Sequence, residues 1–182
     1  MEKKIKILQI VDSLCIGGAE RMSVNICNAL TSSNIQNYLV VSRDVGPIYN
    51  FINEKSNVLF LNKRNFLDFF AFYKLFKLIL NFKPTIIHAH QTSVYWVFAV
   101  KLLRPKTIVI WHDHWGFSDL LTDSDRKIIK FFSFLIDGVV CVNDKIKEWN
   151  IRNLKINKDH IIYIPNFPLV KKKKKTENNI PI

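Results

Sequence analysis

Apolar runs recur along the chain at Ile5–Val11, Tyr38–Val41, Val58–Leu61, Thr85–Ala89, Thr107–Trp111, Gly138–Val142 and Ile161–Ile164. Short runs that are apolar at consecutive positions suit strands covered on both faces, as in a parallel sheet. Between most of them the pattern lengthens to that of helices. Ala19–Ser32 follows a glycine pair, Phe66–Phe82 stops before Pro84, and Val94–Leu103 stops before Pro105. Asp123-Ser124-Asp125 reads as the cap of a helix running to about Leu135, and Asn143 as the cap of one from Asp144 to about Leu154. Strands alternating with helices predict an α/β fold: a Rossmann-like, doubly wound, mostly parallel sheet of seven strands with helices on both faces.

In such open sheets ligands bind beyond the carboxyl ends of the strands. Asp12–Glu20, His88–Ser93, His112–Phe117 and Asn143–Lys145 are therefore expected to converge on one crevice. In the first of these, Gly17-Gly18 opens a helix directly after a strand. Glycines there let the backbone approach a ligand, and the free N–H groups and dipole of the helix N-terminus favour an anion such as phosphate. Glu20 suits the dipole in the first turn, and Arg21 could clamp a phosphate or carboxylate; both also read as solvated first-turn residues.

His88-Ala89-His90 and His112-Asp113-His114 each place two imidazoles on one face of an extended backbone. Four histidines with Asp113 have the ligand chemistry of zinc, but no metal-site signature surrounds them, and strand-end histidines also serve as hydrogen-bonding and acid–base groups. No metal is expected.

The chain has 182 residues, 48% of them hydrophobic, enough for one well-buried domain. Of its net charge of +12, the segment Lys171–Ile182 supplies five lysines against Glu177, leaving +8 elsewhere. The reading is one domain over residues 1–168 and a polybasic, disordered tail over 169–182. A basic surface favours anionic partners, either phosphate-bearing molecules, an acidic membrane or nucleic acid; no pattern of a nucleic-acid module is present. The helix through Phe69, Phe70, Phe72, Tyr73 and Phe76 is apolar beyond what covering one sheet face requires, which suits contact with a membrane surface or a partner. Cys15, Cys27 and Cys141 lack metal or redox spacing and read as core fillers in a reducing compartment. The first residues carry no secretory pattern, so the expected location is cytoplasmic, peripheral at the inner face of the cell membrane.

Taken in order, Ile16-Gly17-Gly18-Ala19-Glu20-Arg21, Pro84-Thr85-Ile86-Ile87-His88-Ala89-His90, Ile108-Val109-Ile110-Trp111-His112-Asp113-His114 and Ile161-Ile162-Tyr163-Ile164-Pro165-Asn166-Phe167 resemble the N-terminal, acceptor-side domain of retaining, family 4 glycosyltransferases of GT-B architecture. The resemblance implies transfer of a sugar from a nucleotide-sugar to a glycan or lipid-linked acceptor, as in polysaccharide assembly, without a metal or other cofactor. It places Gly17 and Gly18 at the donor phosphates and reacting sugar and His112 on the transferred sugar, with Asp113 orienting His112. It places His88 and His90 in the acceptor cleft, and His114, Glu20 and Arg21 are expected to bind substrate.

Two positions depart from the family. Phe167 follows Asn166 where the family has glycine, and none of Glu2, Glu20, Glu54, Glu148 and Glu177 reproduces the spaced glutamate pair of the family's donor domain. The expectation is a half-enzyme that turns over little alone and works with a separate donor-domain chain. The competing readings are a noncatalytic membrane- or partner-docking module, half of a sugar-nucleotide epimerase, and a dinucleotide-dependent enzyme. The last is weakened because the third glycine of its fingerprint is missing.

Overall fold

A computed structural model describes residues 5–33, 35–65, 68–115 and 120–167. The strands are β1 (Lys6–Val11), β2 (Gln36–Val41), β3 (Val58–Phe60), β4 (Ile86–His90), β5 (Ile108–Asp113), β6 (Gly138–Cys141) and β7 (Ile161–Tyr163). They form one sheet in the order β3-β2-β1-β4-β5-β6-β7 with every neighbouring pair parallel. The reversal of direction beside β1 is the switch point at which open sheets of this kind form a crevice.

Among the described residues the strands are connected by the α-helices α1 (Gly18–Ser32), α2 (Phe69–Phe82), α3 (Val94–Leu103), α4 (Lys127–Phe132) and α5 (Asp144–Asn153). Alternate strand residues feed two cores. Leu8, Ile10, Val40, Ile87, Val109 and Val139 pack with Leu75 and Ile79 of α2, Val97 of α3, Ile129 of α4 and Ile146 of α5. Val11, Leu39 and Val41 pack on the other face with Val24 and Cys27 of α1. Helices thus cover both faces, four on one and α1 on the other, and no helix among the described residues is long and apolar enough to cross a membrane.

The element ends carry local explanations. Asp68 caps α2, its Oδ1 accepting from the Ala71 N–H at 3.0 Å, and Asn143 caps α5 by accepting from Ile146 N–H at 2.8 Å. The expected start of α2 at Phe66 lies outside the described residues, as do residues 168–182 and the Phe117 end of the third crevice segment. Phe69, Phe70 and Tyr73 of α2 point outward, 78%, 83% and 63% exposed.

Three expectations need correction. β4 and β5 run further than the expected ends at Ala89 and Trp111, because the ladder continues through His90 opposite His112 and Asp113 opposite Cys141; His88, His90 and His112 lie within the strands and His114 just beyond β5. The acids before α4 do not cap it: Asp125 Oδ2 accepts from Thr122 N–H and Oγ1–H at 2.7 and 2.9 Å, and Asp123 Oδ1 accepts from Asn153 at 2.8 Å. The helix begins instead after Arg126, held in the left-handed region at φ 54°, and tightens into a 3-10 turn at Ser133–Leu135. Finally, Cys27 and Cys141 are buried fillers but Cys15 is exposed.

Candidate functional site

The glycine turn is braced before it reaches α1. Arg43 N–H donates to the Asp12 carbonyl at 2.7 Å, the Asp12 carboxylate accepts from Ser42 Oγ at 2.5 Å and pairs with the Arg43 guanidinium. Leu14 is fully buried; its N–H donates to Asp44 O at 2.9 Å and its carbonyl accepts from Ile48 N–H at 3.1 Å. Gly46 makes this seam fit, since a Cβ there would lie 2.2 Å from Leu14 O and 2.4 Å from Cys15 N. Nothing in a linear reading marks Gly46, because the need arises where two loops meet.

Gly17 is the N-cap of α1 in extended conformation without a side-chain cap, and the Arg21 N–H returns to its carbonyl at 3.0 Å. The first-turn N–H groups of such a helix have no intrahelical acceptor. The Glu20 carboxylate folds back to this end; a Cβ on Gly17 would lie 2.1 Å from Glu20 Oε2. Negative charge at the positive end of the helix is favourable, so Glu20 sits where an external anion would be attracted. Arg21 is turned elsewhere, its guanidinium 4.1 Å from the centroid of the Phe51 ring.

The four histidines form one cluster on the α1 face of the sheet. His88 and His90 lie two apart on β4, His112 is opposite His90 in register, and His114 follows on the same side. Ring centroids are 3.9 Å apart for His112–His114, 4.4 Å for His88–His90 and 5.3 Å for His90–His112. His90 Nδ1 is 3.3 Å from His114 Nε2, and His90 Nε2 is 3.4 Å from the Gln9 side-chain amide. His88 Nε2, both His112 nitrogens and His114 Nδ1 are buried with no partner.

Burial is the main reason that all four are neutral at pH 7. It pushes His88 and His114 down to about 4, with Asn166 bonding to His114 working against the shift. It pushes His112 down to about 2, helped by His114 and His88, and His90 well below its ordinary value.

Asn166 joins the two halves of the site. Its side chain lies beside His114 and works to hold that imidazole's pKa up, and the position of a Cβ on Gly18 lies 3.5 Å from Asn166 Nδ2. Asn25 Nδ2 of α1 donates to the neighbouring Phe167 carbonyl at 3.0 Å, fastening this segment over the helix. Gly18, His114 and His112 are therefore neighbours at one end of the sheet, although Asn166 reads in the sequence only as part of the Ile164-Pro165-Asn166-Phe167 run.

The expected support of His112 by Asp113 is absent. Strand alternation sends Asp113 to the opposite face, where Arg126 Nη1 and Nη2 donate to its two oxygens at 2.5 and 3.0 Å and Asn150 Nδ2 donates at 3.1 Å. The Arg126 guanidinium lies 4.9–5.3 Å from the ring centroids of Trp111, Trp115 and Trp149. A cavity of about 440 Å³ opens beside it, lined by Gln91, Tyr95, Trp111, Trp115 and Arg126. Arg126 was not among the residues singled out from sequence; a cation in an acidic loop carries no pattern that aims it inward.

A seven-stranded parallel sheet with its glycine turn and imidazole cluster at the switch point defines one Rossmann-like half of a GT-B architecture. The chain belongs to glycosyltransferase family 4, whose model matches residues 16–167. No protein of curated function matches it by sequence. The fold is similar to a glycosyltransferase from Rickettsia africae ESF-5, with a TM-score of 0.64 at 18% identity over 89% of this chain and 43% of that one. It is similar to the lipopolysaccharide outer core galactosyltransferase WaaB, with 0.66 at 15% identity over 92% and 47%. It also resembles UDP-N-acetylglucosamine 2-epimerase from Rickettsia bellii, with 0.64 at 11% identity over 90% and 45%. The chain thus spans less than half the length of each of these structures.

Proposed function

We propose that this chain forms the acceptor-side wall of a glycosyltransferase that moves a sugar from a nucleotide-sugar to a glycan or lipid-linked acceptor, with no metal required. The observation that carries this reading is the link from Gly18 through Asn166 to His114 and His112, which puts an anion-favouring helix end beside an imidazole with two unpartnered nitrogens. A donor's diphosphate suits the first and the hydroxyls of its sugar suit the second.

In this proposal the α1 N-terminus takes up charge that develops on the leaving diphosphate, displacing the Glu20 carboxylate. His112 acts as a neutral hydrogen-bonding group: burial holds it deprotonated, so it donates from one ring nitrogen and accepts at the other. The bond between the anomeric carbon and the diphosphate oxygen breaks as the acceptor oxygen attacks, and the acceptor proton leaves to the diphosphate. Interactions of this kind are worth about 10²–10³ in rate each when they are preorganised. The remaining donor contacts belong to the second domain of such enzymes, on the same or a separate polypeptide. The outward aromatics of α2 support peripheral contact with an anionic membrane at the inner face of the cell.

The likeness to an epimerase supports a second reading, half of an enzyme acting on a sugar nucleotide without an acceptor. Both are tested by incubating the 182-residue chain with nucleotide-sugars and acceptors, alone and with a separately produced family 4 donor domain. Transfer that appears only with the donor domain and falls about 10²-fold or more in His112→Ala supports the proposal. Epimerised donor without transfer favours the second reading, and absence of nucleotide binding at the glycine turn overturns both.

A further inference from the structure

The cluster has a property that sugar transfer does not use. His88, His90 and His112 each offer a ring nitrogen, and these three atoms lie within 4.8 Å of one another. We propose that they form a binding site for a divalent ion of the zinc type, and that the ion competes with sugar for His112.

The positions are set by backbone. His88 and His90 share one face of β4 and His112 is locked opposite His90 by the parallel ladder, so three imidazoles are assembled before any ligand arrives. A neutral imidazole carries one N–H and one lone pair. Leaving such groups buried and unpartnered is unfavourable, and this is the condition of His88 Nε2 and both His112 nitrogens. An ion accepting one lone pair from each ring supplies a partner to His88 and to one of the His112 nitrogens.

Zinc–nitrogen bonds of about 2.0–2.1 Å place two ligand nitrogens of a tetrahedral ion about 3.3 Å apart. The three rings must therefore close inward by about 1 Å, a small rotation of side chains. His114 stands beside the open fourth position, its Nε2 already 3.3 Å from His90 Nδ1. The Gln9 amide at His90 Nε2 is placed to orient that ring from behind. An all-imidazole set suits zinc, copper or nickel and disfavours magnesium and calcium, which take oxygen ligands. Asp113, the nearest carboxylate in sequence, is committed to Arg126 on the other face.

The test titrates the 182-residue chain with Zn2+ by calorimetry and with Co2+ by visible absorption, beside Mg2+. The expected result is about one Zn2+ per chain, a tetrahedral, nitrogen-ligated Co2+ spectrum, and affinity reduced about 10-fold or more in His88→Gln and in His112→Gln. His160→Gln, on the surface away from the cluster, is expected to bind as the parent does. Binding that survives the His88→Gln/His112→Gln double variant, or a wild-type Co2+ spectrum without tetrahedral nitrogen ligation, overturns the site. The wild-type spectrum decides even where a variant fails to fold. Zn2+ inhibition of transfer relieved by chelator would establish the competition; Zn2+ bound without effect on nucleotide-sugar binding would limit the ion to a site apart from sugar.

Discussion

His112 and Asp113 are consecutive in the chain and face opposite sides of the sheet. The imidazole joins the cluster over the α1 side, whereas the carboxylate takes a two-pronged hydrogen bond from Arg126 beneath α4 and α5. One strand end therefore carries two separate jobs, and substitutions at the two positions are expected to have different consequences.

The Asp113–Arg126 pair is enclosed, with side chains 2% and 9% exposed. Removing one partner leaves the other charge buried among tryptophans. Asp113→Ala is expected to destabilise the fold by about 3–5 kcal/mol, measured by urea denaturation. The combined Asp113→Leu/Arg126→Met variant should recover much of that loss. If Asp113→Ala unfolds at the parent's urea concentration, the pair contributes nothing to stability.

Stability is expected to fall as acid is added well above the carboxylate range. As pH drops through about 6.5 the unfolded chain protonates its histidines, while burial keeps the folded cluster neutral until about 4 for His88 and His114. The unfolded state then binds more protons, so each histidine can remove up to about 1.4 kcal/mol of stability per pH unit in that window. Urea midpoints at about pH 7.5, 6 and 5 test this; a flat profile would mean that the rings are not buried as neutral groups.

Gly46 and Gly17 should respond differently to the same substitution. Gly46→Ala drives a methyl into Leu14 and Cys15 backbone and is expected to cost roughly 1–3 kcal/mol. Gly17→Ala meets only the mobile end of Glu20, and its extended φ suits any residue, so its cost should stay within about 0.5 kcal/mol. Thermal unfolding of the two variants side by side checks the order, and equal losses would contradict it.

The aromatic face of α2 can be altered without touching either core. Phe69→Ser/Phe70→Ser is expected to leave unfolding unchanged and to lower binding to anionic vesicles by about 10-fold or more, since burying a Phe side chain contributes about 1.5–3 kcal/mol. Flotation at low and high salt measures it. Vesicle binding indifferent to these two residues would remove α2 from any membrane contact.

The sheet was legible in the sequence because its strands are apolar on both faces and its helices carry ordinary stops and caps, such as Asn143 before α5 and Pro105 after α3. The pairing of His88 with His90 was legible for the same reason, as period two is a local property. Their convergence with His112 on one crevice follows from the open-sheet topology, but the register that sets His112 opposite His90 does not. The same alternation, applied to His112 and Asp113, already separates them onto two faces, so the error there lay in reading adjacency as contact. Asp125 looked like a helix cap because composition does not show that Thr122 claims its oxygens first. Arg126, Gly46 and Asn166 matter only through residues far away in the chain, and no local pattern reveals them.

The seam at Gly46 has a thermodynamic consequence. With Leu14 hydrogen-bonded to Asp44 and Ile48 on both its polar atoms, the segment leading into α1 is held in place by backbone bonds of the chain itself. If the turn takes a phosphate as proposed, that ligand would meet a preordered backbone, and little of its binding free energy would go into ordering chain. Loosening the brace, rather than removing any group that touches the ligand, is thus a route to weaker capture with an unaltered set of contacts.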